Sequence, residues 1–527
     1  MAGECRVRPP QVNGGLAPNC HAFPRHTRVG HLRPLPHRSC LGAAGVDAKF
    51  HRFMNSVPAK TLAPAEILVR LRTLSLATPA GELLCVVALC PILLSIAAWN
   101  GFPIIFYDTG AYILEGLGHV FVPERASVYS LLLFYLDAGR SLWFVAGLQA
   151  LITAFVLTEL ARAEFTELPI WSLLLIVALL VYLTGIAWYV GQIEPDIMTP
   201  VTVIALFLLA YRASLLGATR TILLVLVGAL AVASHPGNLL LAAGLLLVLA
   251  AVRVSAIFLP RLDAVKPSLS ATFGTFTLAS VLVLSANYTL TNQWFFSRTG
   301  SYFAFARMLQ DGIVQKLLDD TCPQSRYPLC PFKNSLPHRA DSWLWNGDSP
   351  FNRFNRFHGP VSLYEDMIAD SVRRYPVTNA VAALKDTALQ FVRFRTGDQI
   401  EPQEWVLYSD LAHYIPGQME SYMRARQQRG ELRFENINRV HVPVAILSLL
   451  GLLFLLRTAY VRREWQQATL PAFVLLSLLG NAFICGTLSN PHDRYQSRLM
   501  WVPAFVLSIS AVQARLFSLQ RPVESGT

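Results

Sequence analysis

Charged side chains are scarce in this chain. Asp, Glu, Lys and Arg make up 15% of its 527 residues, against about 25% in an ordinary soluble domain. Residues 173–183 and 239–252 contain none at all. So little charge argues against a string of soluble domains, which a chain of this length would otherwise hold. Residues 1–60 do not read as a signal peptide, because no apolar core follows within the usual distance. Apolar residues are plentiful instead, at 53%, and the mean hydropathy is +0.42. The length goes into membrane spans of about 20 residues each.

The net charge of +11 is unevenly spread. Residues 1–53 hold eight Arg and Lys and two acids, and much of the remaining excess sits at span ends. That distribution points to membrane orientation and not to nucleic acid. Residues 1–60 are rich in Pro, Arg, Gly and His and show no apolar period, which predicts a disordered basic tail. The five His and three Cys of the tail repeat no ligand spacing. Met54 is a candidate alternative start.

The fold expected is an all-α polytopic membrane protein of about ten helices. The spans are read at 83–99, 142–160, 169–188, 197–211, 221–234, 239–257, 269–290, 441–456, 470–488 and 499–514. They form a bundle over 61–290, with a loop at 100–141, and a second bundle part over 441–515. Residues 291–440 are a polar, mixed segment, and 516–527 are a tail. Orientation follows from Arg and Lys in short connections. With the N-terminus cytoplasmic, Arg162, Arg212, Arg220, Arg253, Arg261, Lys266, Arg457, Arg462 and Arg463 all fall inside. Connections after the third and fifth spans then lie outside and hold no Arg or Lys. Both termini are expected in the cytoplasm, and 291–440 outside a bacterial inner membrane.

On that topology five polar motifs share the outer face. They are Tyr107-Asp108-Thr109-Gly110, Gln192-Ile193-Glu194-Pro195-Asp196, Ser234-His235-Pro236-Gly237-Asn238, the loop of Cys322 and Cys330, and Asn490-Pro491-His492-Asp493-Arg494-Tyr495. Ionisable groups near a bilayer are expensive, so their gathering points to a site. Asp108 reads as a general base or metal ligand, or as turn and helix-cap chemistry. The apolar stretch 128–136 is too short to cross and reads as a helix on the membrane surface, keeping Asp108 near the bilayer. Glu194 and Asp196 can chelate a divalent metal or hold a cation, or Asp196 caps the next helix. His235 reads as a phosphate or hydroxyl contact, or as a turn residue capping a carbonyl. His492-Asp493-Arg494, with Arg498 one turn on, suits a phosphate, or is a local salt bridge. Cys322 and Cys330, eight apart among prolines, are expected to pair in an oxidising compartment. Cys85, Cys90 and Cys485 fall in spans and read as packing residues. Trp343, Trp345, Phe351, Phe354 and Phe357, interleaved with Arg353, Arg356 and Asn352, suit sugar stacking or membrane anchoring.

The arrangement resembles the GT-C class of membrane glycosyltransferases. The features that carry it are many spans, an acid in a first outer loop with a surface helix, a second acidic motif after the third span, and a late outer segment. The resemblance covers roughly 80–290 and 440–515. It implies a polyprenyl-phosphate-linked sugar as donor, an envelope acceptor, and Asp108 as the base. It further implies Glu194 and Asp196 as the second acidic motif, and Arg494 with His235 at the lipid phosphate. One departure stands out: the first loop lacks the doubled acid that several branches carry, so a divalent metal is left open as cofactor. The rival expectation is a transporter or flippase for a lipid-linked or anionic solute, whose charges would line a path through the bundle.

Overall fold

The computed structural model describes residues 76–520 apart from 138, 166, 167, 326, 404 and 405. The basic tail, Met54 and residues 521–527 lie outside the described residues. Helices α1 (Pro79–Leu93) and α2 (Ser95–Asn100) run on as one apolar element. Thr78 caps α1 by accepting from Gly81 N at 3.1 Å, and Gly101 stops α2 in the left-handed region at φ 88°, where a Cβ is unfavourable. Helices α3 (Tyr107–Gly118), α4 (Ser127–Asp137), α5 (Trp143–Glu164), α6 (Ile170–Leu183) and α7 (Ile186–Gly191) follow. A 3-10 turn, Pro195–Ile197, leads into α8 (Met198–Tyr211), then α9 (Ala213–Ala233), α10 (Pro236–Phe258) and α11 (Ser270–Thr291). The polar segment holds α12 (Gly300–Gln310), α13 (Ile313–Thr321), α14 (Ala340–Trp345), α15 (Val361–Arg374) and α16 (Pro376–Phe391). It ends with α17 (Val406–Tyr414) and α18 (Met419–Arg424). The chain finishes with α19 (Phe434–Arg462), α20 (Trp465–Leu488), α21 (Asp493–Ser497) and α22 (Trp501–Gln520).

The protein is an all-α membrane protein. Among the described residues, seven helices are long and apolar enough to cross a membrane: the α1–α2 element, α5, α9, α10, α11, α19 and α20. The expected spans three, four and ten correspond to α6, α8 and α22. Span three breaks where Thr184 turns extended (φ −142°, ψ 173°). Its hydroxyl and amide both bond Leu180 O, at 2.7 and 2.9 Å, so the freed backbone is satisfied locally. The penultimate long span, α19, begins at Phe434, before the expected 441.

Every residue of α8 from Met198 to Ala210 is buried. A helix apolar all round belongs inside a bundle, and α8 packs against α5, α9, α10, α11 and α20. It places Asp196 at one end and Arg212 at the other, about 24 Å apart at 1.5 Å per residue.

The polar segment has its own core of Tyr302, Phe305, Trp343, Phe351 and Tyr364. Three of the five aromatics read as sugar-stacking or membrane-anchoring residues, Trp343, Phe351 and Phe357, are buried in that core. Aromatic burial drives folding of this segment because each ring removes a large apolar area from water. Cys322 and Cys330 are joined in a disulfide with Cα atoms 5.8 Å apart. Cys85 and Cys485 are buried.

Candidate functional site

Strand-like pairing of two loops builds the site. Ile104 N donates to Gly191 O and Ile193 N donates to Ile104 O, both at 2.9 Å. From the opposite side the Gln427 amide imitates a backbone, accepting from Ile105 N at 3.0 Å and donating to Ile105 O at 2.6 Å. The chain before α3 is thereby clamped beside Ile193 and Glu194. Thr109 finishes the junction: its hydroxyl accepts from Phe106 N and donates to Ile193 O, each at 3.0 Å. Asp108 emerges in the first turn of α3, where a carboxylate is favoured by the helix dipole.

Around it runs an alternating chain of charges. Asp108 Oδ1 pairs with Arg125 Nη2 at 2.6 Å. Asp108 Oδ2 faces Arg494 Nη2 at 3.6 Å, and Arg494 Nε faces Asp196 Oδ2 at 3.6 Å. Asp196 Oδ1 accepts from Arg498 Nη1 at 2.7 Å, with both side chains buried. Asp196 does not cap α8: Arg498 claims it instead. The Arg494 guanidinium lies 4.0 Å from the Phe106 ring centre, a cation–π contact. Its Nη1 is buried without a hydrogen-bond partner.

Glu194 is buried beside these groups, within 3.4 Å of the Thr109 hydroxyl. Burial holds its carboxyl well above the ordinary carboxylate range, Asp108 and Asp196 push the same way, and Arg494 opposes them. The shift favours the neutral acid. His235 caps α10, its Nδ1 accepting from Gly237 N at 3.0 Å. The ring thus caps an amide, not the carbonyl expected, and its proton sits on Nε2. Burial, with Arg498 and Arg494 nearby, drives the His235 imidazole well below its ordinary value.

His492 sits between two carboxylates, Asp341 at 3.6 Å and Asp398 at 3.4 Å. Burial alone would lower it, but Asp341 and Asp398 outweigh burial and raise it to about 9. Asp341 belongs to α14 and Asp398 to the loop after α16, so the imidazolium ties the polar segment to the bundle. The Asp493 carboxylate turns away, accepting from Arg395 N at 2.9 Å and facing Arg393 at 3.4 Å.

One cavity of about 1160 Å³ joins these groups, lined by Asp108, Glu194, Asp196, His235, His492 and Arg494. Leu114, Leu240, Ile484 and Leu488 give it an apolar wall, and Phe303, Leu344, Trp345 and Arg356 line it from the polar segment. Four of the five polar motifs meet here. Neither Asp493 nor the disulfide lines the cavity. The residues present do not fit a divalent ion. Arg494 occupies the space between Asp108 and Asp196 that a metal would need, and no group of three or more His, Cys, Asp or Glu among the described residues could hold one.

Sequence reasoning missed Arg125, Asp341, Asp398 and Gln427. Each meets the site across a long stretch of chain, and no local pattern marks it. Arg125 lies beside a buried lock: Glu115 accepts from Ser127 at 3.0 Å, Ser130 at 2.5 Å and Val122 N at 3.3 Å. That lock shapes the connection from α3 to α4 on which Arg125 lies. No protein family, curated protein or solved structure matches this chain.

Proposed function

We propose that this protein is an integral membrane glycosyltransferase of the GT-C type. It moves a sugar from a polyprenyl-phosphate donor to an envelope acceptor on the outer face of a bacterial inner membrane. In this reading ten spans place both termini in the cytoplasm and residues 291–440 outside, with membrane lipid around the bundle. The observation that carries it is the single cavity holding an acid, a free guanidinium edge and an apolar wall together.

The donor phosphate takes the unpartnered edge of Arg494, as a planar guanidinium favours. Engaging Arg494 leaves Asp108 Oδ2 open, while Arg125 keeps Oδ1. The acceptor hydroxyl attacks the anomeric carbon, and its proton passes to Asp108. The bond from that carbon to the phosphate oxygen breaks, and the phosphate leaves as an anion stabilised by Arg494. One displacement inverts the sugar centre. His235 Nε2–H supplies a donor for sugar hydroxyls or phosphate oxygens. Arg498, buried against Asp196, is a positioning residue.

A transporter is the rival reading, and the centre of the bundle weighs against it. A transport path needs polar groups at mid-depth, whereas α8 carries buried, mostly apolar side chains from Met198 to Ala210. A second cavity of about 1000 Å³ at the Arg212 end shares no lining residue with the first. Mass spectrometry of lipid-linked sugars and envelope glycans, with and without the gene, tests the proposal. A donor that accumulates as a glycan disappears is expected. Unchanged glycans, with a lipid-linked species trapped on the inner face, would favour the transporter.

A further inference from the structure

Helix α16 presents an apolar face that nothing among the described residues covers. Val377, Val381, Leu384 and Val392 are 74%, 59%, 72% and 64% exposed. With Ala388 they fall at intervals of three, four and seven residues, which is one side of a helix. The opposite side is polar and fully engaged. Asp386 is buried against Arg307, whose Nε donates to it at 2.7 Å. Gln390 donates to His492 O at 2.8 Å and accepts from His492 N at 3.0 Å. The usual order is thus inverted: polar groups face the protein and apolar groups face out.

Two further features say what covers this face. The first is continuity with a membrane helix. Leu479, Phe483 and Gly486 lie on one stripe of α20 by their spacing. The Asp386 carbonyl of α16 rests on Gly486, so close that a Cβ there would stand 2.5 Å from its oxygen. Leu479 and Phe483, further along the stripe, are 51% and 49% exposed. Helix α16 therefore sits at the end of a lipid-facing surface and prolongs it. The second is charge. Over residues 371–395 the only acid is the buried Asp386, while Arg373, Arg374, Lys385 and Arg395 are exposed. Arg374 faces Asp370 at 3.5 Å, while Arg373, Lys385 and Arg395 border the stripe outside any ion pair among the described residues. An apolar stripe with such a basic border suits the boundary between acyl chains and anionic headgroups.

We propose that α16 is an interfacial helix, with Val377, Val381, Leu384, Ala388 and Val392 set among acyl chains and Arg373 and Lys385 at lipid phosphates. This inference stands apart from the catalytic reading. Through Gln390 it also makes the lipid-seated helix a direct support of His492. Its long basic side chains reach outward while their stems cover apolar surface.

Cysteine at Leu384 or, separately, Val381 is labelled with an environment-sensitive nitrobenzoxadiazole dye in the full chain. The signal of the equally treated parent is subtracted. Ser362→Cys on α15 is the water-exposed control. The proteins are placed in vesicles of phosphatidylcholine and phosphatidylglycerol, with and without doxyl-labelled lipid. Doxyl lipid should remove most of the emission at 384 and 381 and little at 362, and aqueous iodide should do the reverse. Iodide quenching at 384 and 381 equal to that at 362 would overturn the proposal. So would labels that neither quencher reaches, since that result means a second copy or another protein covers the face.

Discussion

His492 offers a test that needs no substrate. Its imidazole is held at about 9 by Asp341 and Asp398, from an ordinary 6.5. A group whose pKa is higher when folded stabilises the fold below both values and stops doing so above both. The contribution is therefore complete below about pH 6.5 and is lost as pH rises through about 9. A rise of this size corresponds to about 3 kcal/mol, concentrated on the tie between α14, the Asp398 loop and α21. Melting temperature in detergent, measured from pH 6 to 10 for the parent and for His492→Gln, isolates the effect. Glutamine retains hydrogen bonding but does not titrate, while lysines and tyrosines contribute equally to both proteins. The parent should hold a clear advantage near pH 6 that vanishes by pH 10. Parallel curves across the range would refute the paired-carboxylate account of this residue.

Other outcomes follow from the charge chain and the disulfide. Asp108→Asn should cut turnover by about 100-fold or more, as general-base loss typically does, with donor binding kept; undiminished glycan transfer by a well-expressed variant would remove the base. Arg494→Ala should weaken donor binding, and Arg494→Lys should restore it only partly because lysine lacks the planar fork. Arg498→Met strands the buried Asp196 carboxylate and should destabilise the protein by about 3–5 kcal/mol, read as lost folded yield; normal yield and melting would contradict the buried pair. A membrane-impermeant thiol reagent should reach Cys322 and Cys330 in intact cells only after reduction. Labelling without reductant would deny the disulfide, and labelling only after lysis would place residues 291–440 on the other side.

The spans were legible because long apolar runs have few alternatives in a chain this poor in charge. Composition alone could not show that the run 169–188 breaks at Thr184, because apolar residues continue through the break. Asp108, Glu194, Asp196, His235 and Arg494 could be picked out because each is a polar exception beside apolar sequence, and the cavity gathers all five. Their partners could not. Arg125 is 17 residues from Asp108, and Asp196 meets Arg498 across 302. Separations of that size are set by packing and leave no local period. The aromatics of 343–357 show the converse error. Ring-rich sequence beside arginines reads equally as a binding surface or a core, and only burial separates the two. Trp345 alone among the five both lines the cavity and stays substantially exposed, at 43%.

The balance of charge at the cavity floor ties these observations together. Arg125, Arg494 and Arg498 stand against Asp108, Asp196 and Glu194. Were all six ionised, the floor would be neutral and would draw no anion. Burial pushes the Glu194 carboxyl toward its neutral form, which tips the balance toward the three guanidinium groups. The surplus is not spread evenly. Arg498 is spent on Asp196 at 2.7 Å and Arg125 on Asp108 at 2.6 Å. Arg494 stands at 3.6 Å from both acids, with Nη1 unpartnered. The uncompensated positive charge therefore sits on the guanidinium that has the least to lose by turning to a ligand. A monoanionic phosphate arriving there would pair with that guanidinium and free one oxygen of Asp108 in the same movement. Raising pH toward ionisation of Glu194 would reduce the positive balance and weaken the hold on that phosphate.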